Sequence, residues 1–205
     1  MTVGAGTGWG CPGTLPTDAA IAADDHQLRG IVESARRAGE RLPVIGLTGG
    51  SIWTTIGGPS VVGRLHTSAS LHYSVDVVRA HIDDGSTHWF VSALIARNTL
   101  WTRTTVAMNG QFCGPYRFGV RAHPGDGLID VYESRLSLGD VAKVARRAKL
   151  GAHLPHPGIR ELRTAETRLS FERPRRVWLD GESVGRARRI ELTVEADALT
   201  WSSEA

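Results

Sequence analysis

The sequence predicts an α+β fold that is mainly β, an antiparallel β-sandwich preceded by a truncated N-terminal α/β segment. Three observations carry this reading. Residues 26–39 repeat apolar side chains at helical spacing and are followed by a short apolar run and a glycine turn, the start of an α/β layer. Beyond residue 73, short strand-like runs recur between Gly and Asp turns, the texture of a sandwich or barrel. At 205 residues and 41% hydrophobic content, the chain can bury a core in one sizeable domain, or in one domain plus a smaller appendage.

The first 25 residues, rich in Gly, Ala, Thr and Pro, show neither helical nor strand period and predict a loosely structured lead-in with at most a short strand over 19–23. Gly4, Gly6, Gly8 and Gly10 do not form a dinucleotide fingerprint, because the sixth position is Trp9 and no strand precedes it. In the helix over 26–39, Leu28, Ile31, Val32, Ala35 and Ala38 share one face and Gly39 supplies the stop. Residues 42–47 read as a short buried strand, and Thr48, Gly49, Gly50 and Ser51 turn the chain into a second, shorter helix. Strands are expected over 74–82, 88–95, 103–108 and 128–135. A helix opened by the Ser137 to Asp140 capping box carries Leu138, Val141, Val144, Ala145 and Ala148 on one side, with Arg146, Arg147 and Lys149 in its last turn. Further strands are expected over 167–171, 175–179, 188–194 and 199–201. The natural division is residues 1–66 and 67–205.

The net charge of +3 is carried by arginine, since only Lys143 and Lys149 are lysines. Such a surplus attracts phosphate groups or simply solvates the surface, and the Arg-rich stretch 173–189 is interrupted by Asp180 and Glu182 without a nucleic-acid motif, so no nucleic-acid partner is expected. Two distant cysteines, Cys11 and Cys113, and no leader-like start predict a cytoplasmic protein. No apolar stretch is long enough to span a bilayer, so membrane contact would be peripheral at most. His123, His153 and His156 lack a zinc-ligand spacing and read as turn or core residues.

Three segments carry a more specific signal. The first is Met108-Asn109-Gly110 followed by His123-Pro124-Gly125-Asp126-Gly127-Leu128-Ile129-Asp130-Val131. The second is Gly151-x-His153 with Pro157-Gly158-Ile159. The third is Val177-Trp178-Leu179-Asp180-Gly181-Glu182, leading to Val194 and then Asp197-Ala198-Leu199. In order and spacing these resemble the diacylglycerol kinase and sphingosine kinase family of lipid kinases, which shares a two-domain plan with NAD kinases. The resemblance covers mainly the family's C-terminal β-sandwich.

The resemblance implies ATP-dependent phosphoryl transfer to a lipid hydroxyl, with ATP and Mg²⁺ as cofactors. It assigns Glu182 the place of the general base, since a hydroxyl attacks a γ-phosphate only as its proton is removed. It places Asp126 at a magnesium position, with the backbone carbonyls of His123 and Leu128 as further hard oxygen ligands. Read alone, Asp180-Gly181 is a hairpin turn beside a solvated glutamate, and Asp126 is a turn-former holding its own backbone.

The same resemblance shows where the sequence departs from the family. The Gly-Gly-Asp-Gly-Thr nucleotide loop corresponds to Ala23-Asp24-Asp25-His26-Gln27, which keeps Asp25 and none of the glycines. The Gly-Thr-Gly-Asn loop corresponds to Leu47-Thr48-Gly49-Gly50, which keeps Thr48 and Gly49 as the remaining nucleotide contacts. A long helical insert between the early sandwich strands is missing. Enzyme status is therefore open. The two readings are a lipid kinase, with Asp25 near the metal, and an inactive relative that binds a lipid or protein partner. Exposed strand edges also lead us to expect a homodimer.

Overall fold

The computed structural model describes residues 9–58, 70–83 and 85–204. The boundary between residues 66 and 67, and Gly4, Gly6 and Gly8, lie outside the described residues.

Where local signals were strong, the elements form as read. Helix α1 (Asp25–Ala38) is capped by Asp24, whose carboxylate accepts from the Gln27 N–H, while the Gln27 side chain accepts from the Ala23 N–H. Gly39 ends it in the left-handed region. Strand β3 (Val44–Leu47) follows, and then the short α2 (Ser51–Thr55). Strands β7 (Arg103–Met108) and β8 (Ile129–Arg135) precede α3 (Leu138–Ala148), whose N-cap Ser137 accepts from the Asp140 N–H. Val144 and Ala148 of α3 are buried, whereas Leu138 is exposed.

Four expectations change. The lead-in is anchored from residue 9 onward. β1 (Cys11–Pro12) pairs with β4 (Ser70–Ile82), the Trp9 indole donates to the Ser74 carbonyl, and Leu15 is buried. A short β2 (Ile21–Ala22) runs parallel to β3. The strand expected over 88–95 is two, β5 (Ser86–Phe90) and β6 (Ala93–Arg97), because the Asp180 carboxylate takes the N–H groups of Val91, Ser92 and Ala93 out of any ladder. An additional edge strand, β9 (Ile159–Thr164), pairs with β8. Finally, the four C-terminal runs merge into two long strands with register shifts, β10 (Glu166–Leu179) and β11 (Glu182–Glu204).

The strands form one sheet in the order β1-β4-β11-β10-β6-β7-β8-β9, with β5 on β4 and β3 parallel to β11. It coils on itself, since Val78 and Ala80 of β4 share a core with Ile129 and Val131 of β8, several strands away along the pairing path. Strand β4 is covered on both faces. Val78, Ala80 and Ile82 point into this inner core, and Val75 and Val77 point toward Leu28 and Val32 of α1. A third core lies outside β7 and β8, where Val106, Met108 and Tyr132 meet Ala122 and the partly buried Phe118 and Ile159. No helix among the described residues is long and apolar enough to cross a membrane.

Candidate functional site

The β10–β11 hairpin turns at Asp180 and Gly181, both with positive φ (47° and 87°), the geometry an Asp-Gly pair favours. The turn carries Glu182 to the N-terminal end of α1. There a cleft of about 540 Å³ opens between Asp25, His26, Ser51, Cys113, Asp180 and Glu182. Asp25 and Glu182, assigned from opposite ends of the sequence, are thus brought together.

Both are already engaged. The Arg29 guanidinium, from the first turns of α1, forms an ion pair with Glu182, and His26 Nδ1 lies 3.4 Å from the same carboxylate. Asp25 accepts from the N–H groups of Ser51 (2.7 Å) and Ile52 (3.1 Å), so it satisfies the start of α2, where a phosphate would otherwise find donors. Thr48 and Gly49 sit behind the cleft. The Thr48 N–H donates to the Ala22 carbonyl at 3.0 Å, and a Cβ at Gly49 would collide with the Ala23 carbonyl oxygen. The two loops that the resemblance would wrap around phosphates are packed on each other.

Asp180 is the site residue that the motif reading missed, having treated it as a turn-former. Its carboxylate accepts from three backbone N–H groups at 2.8–2.9 Å and fixes the β5–β6 corner. Burial, with the nearby Asp25 charge, raises its pKa to about 7. Burial also raises Asp25, and it pushes the Cys113 thiol up to about 11, with Asp180 and Asp25 adding to the effect. Only the Asp-Gly pair itself hinted at Asp180, and no sequence signal pointed to Arg29.

His123, Asp126 and Leu128 lie apart from this cleft, on the loop entering β8. The His123 ring packs on Trp9, and the Asp126 carboxylate accepts from the Leu128 N–H at 3.0 Å. The Arg163 guanidinium, from β9, forms an ion pair with Asp126 and approaches Asp130 at 3.8 Å. A guanidinium therefore occupies the position at this carboxylate that the resemblance gave to magnesium. These residues do not fit a divalent cation, which would meet an already neutralised carboxylate and a neighbouring positive charge. Among the described residues, no group of three or more metal-ligating side chains is placed to hold a metal ion, here or in the cleft.

A second cavity, about 360 Å³, lies between α3 and the outer face of β7 and β8. Trp101, Val106, Phe118, Val144 and Ile159 give it apolar walls. Tyr132 and His153 belong to its lining, and the Tyr132 hydroxyl and His153 Nδ1 are themselves fully buried without a hydrogen-bond partner among the described residues. Burial lowers the His153 pKa and raises that of Tyr132, so both are neutral near pH 7. The sequence offered only Gly151-x-His153 as a signal here.

No family model and no curated relative matches the chain. Its fold matches solved structures described as diacylglycerol kinases from Bacillus anthracis strain Sterne, two of them provisionally. One aligns at TM-score 0.65 and 13% identity over 90% of this chain and 77% of that one. A second aligns at TM-score 0.60 and 13% identity over 78% and 69%. A third aligns at 0.54 and 14% over 78% and 66%. The fold is that of these kinases, including the antiparallel β-rich region.

Proposed function

We propose that this chain is a non-catalytic relative of the diacylglycerol kinases that binds a lipid in the cavity between α3 and the β7–β8 face. The observation that carries the proposal is the apolar cavity, with Tyr132 and His153 among its lining residues and one buried, unpaired polar atom on each. Leaving a buried hydroxyl and a ring nitrogen without partners is unfavourable. A ligand with an apolar chain fits these walls, and a hydrogen-bonding head group would reach the two atoms once either side chain turns toward the cavity. Tyr132 donates to the head group, and His153 Nδ1 donates or accepts according to its tautomer. Free fatty acids and monoacylglycerols have this chemistry.

The kinase reading fits the cleft less well. A general base must be free to take a proton, and Glu182 neutralises Arg29. ATP would need backbone donors at the start of α2, and Asp25 already uses those of Ser51 and Ile52. Magnesium at Asp126 would have to displace Arg163.

The test is displacement of a fluorescent fatty acid, cis-parinaric acid, by oleate or monoolein, alongside ADP release with ATP, magnesium and diacylglycerol. Saturable displacement, lost in Val144→Trp and weakened in Tyr132→Phe, with no ADP release, is the expected result. Absence of probe binding to the folded protein overturns the lipid reading. Diacylglycerol-dependent ADP release that disappears in Glu182→Gln restores the kinase.

A further inference from the structure

Large apolar side chains protrude at one edge of the sheet. Leu100 is 59% exposed and Trp101 40% exposed on the turn between β6 and β7. Leu138, 63% exposed, begins α3 two residues after Leu136, whose N–H donates to the Thr102 carbonyl of the same turn. The turn is rigid: the Asn98 amide donates to the Thr102 hydroxyl at 2.8 Å and accepts from the Arg103 N–H at 3.2 Å. Trp101 holds a left-handed φ of 59°, unfavourable for a bulky residue. Trp101 also belongs to the lining of the apolar cavity.

Cations surround this tip. Arg97 ends β6, and Arg176 and Arg186 continue a row on the same face as its successive cross-strand neighbours, while Arg103 and Arg135, a cross-strand pair, stand at this end on the opposite face. Arg97 is held between the Trp101 and Trp178 rings, 3.8 and 4.4 Å from their centroids. Among the described residues, Arg29, Arg36, Arg37, Arg121, Arg163 and Arg168 are in ion pairs, whereas Arg103, Arg135, Arg176 and Arg186 are in none. Glu133 and Glu172 act on Arg175, as do Arg103 and Arg135, which share that opposite face with it. Burial and then Arg176 lower the proton affinity of Arg97, so an anion at this edge relieves charge crowding.

We infer that the surface formed by Leu100, Trp101 and Leu138, with Arg97, Arg176 and Arg186, docks on an anionic membrane surface. A Trp and two Leu on a rigid projection suit the acyl–headgroup boundary, and guanidiniums around them suit anionic headgroups. A nucleic acid would match the charge and leave the two leucines unused. Docking here brings Trp101, a residue of the cavity lining, to the lipid, so in that respect the inference deepens and rests on the lipid-binding reading.

The test is co-sedimentation of the full chain with phosphatidylcholine vesicles, with and without phosphatidylglycerol, at low and high salt. Binding to the anionic vesicles alone, falling with salt and reduced about tenfold in Leu100→Ser/Leu138→Ser and in Arg176→Glu/Arg186→Glu, is expected. These side chains do not line the cavity, so fatty-acid displacement in both variants reports that the protein remains folded. Absence of vesicle binding, equal binding to neutral vesicles, undiminished binding by the variants, or tighter capture by a single-stranded oligonucleotide overturns the inference. The wild type separates the two ideas: vesicle binding with no fatty-acid displacement leaves docking standing and the cavity reading fallen, and the converse does the reverse.

Discussion

Arg29 and Glu182, 153 residues apart in the chain, meet in one ion pair that ties the β10–β11 hairpin to α1. Arg29 is the more demanding partner, its side chain 7% exposed against 47% for Glu182. A buried guanidinium without a carboxylate is costly, so the pair serves the fold, and protonating Glu182 during a reaction would break it.

Replacing Glu182 with Gln leaves Arg29 with only Glu33, 3.4 Å away. Because Glu182 is about half exposed and screened by solvent, the expected loss is about 1 kcal/mol. It is read as a lower denaturant midpoint with an unchanged slope. An unchanged midpoint would mean that the pair contributes nothing in solution.

Two glycines should respond in opposite directions to alanine. Gly49→Ala drives a methyl group into the Ala23 carbonyl and is expected to cost about 1–3 kcal/mol. Gly30 lies inside α1 with open space where its Cβ would stand, so Gly30→Ala is expected to stabilise by roughly 1 kcal/mol. Thermal melts of both variants check this. A tolerated Gly49→Ala would mean that the two loops are not packed as described.

The elements legible in the sequence are those whose causes are local. Asp24 and Gly39 bracket α1, and Ser137 opens α3, with contacts only three or four residues long. The β5–β6 break was not legible because its cause is Asp180, distant in the chain. Strand β9 was missed because its central residues Arg160, Glu161, Leu162 and Arg163 are all exposed on an edge and do not alternate. Asp25 and Glu182 were found through motif order, but motif order says nothing of what holds them. Arg29 on α1 and Arg163 on an unrecognised strand looked like ordinary surface charge. The cavity was invisible for a related reason, since Tyr132 and Val144 read as a strand and a helix residue with no hint that their packing leaves space.

Asp76 and Asp180 should make stability depend on pH in an unusual direction. Burial raises Asp76 to about 6 and Asp180 to about 7, from an ordinary 3.8. The native state then holds protons that the unfolded chain releases above about pH 4, so this stabilisation is present at low pH and lost as pH rises through 6 to 7. His123 and His153, lowered by burial, act in the opposite sense below about pH 6.5. The clean readout is therefore the difference between wild type and Asp76→Asn. That variant should be more destabilising at pH 5 than at pH 8, by on the order of 1–3 kcal/mol. An equal or larger loss at pH 8 refutes the assignment.

Arg163 neutralises Asp126 and approaches Asp130, while Asp76 lies close enough to Asp126 for their charges to interact. With this guanidinium in place, the melting temperature of the wild type should not respond to magnesium or to a chelator. Arg163→Ala removes the only cation paired with Asp126 among the described residues and leaves Asp126 with Asp76 and Asp130 as like-charged neighbours. The expected cost is about 1–3 kcal/mol. Hard carboxylate oxygens without a counter-charge then attract a divalent ion, so millimolar magnesium should recover part of the loss in the variant alone. Magnesium-dependent stabilisation of the wild type, reversed by chelator, would show instead that a metal and not Arg163 balances Asp126. A variant that loses stability and ignores magnesium would show that the carboxylates separate or take up protons once the guanidinium is gone.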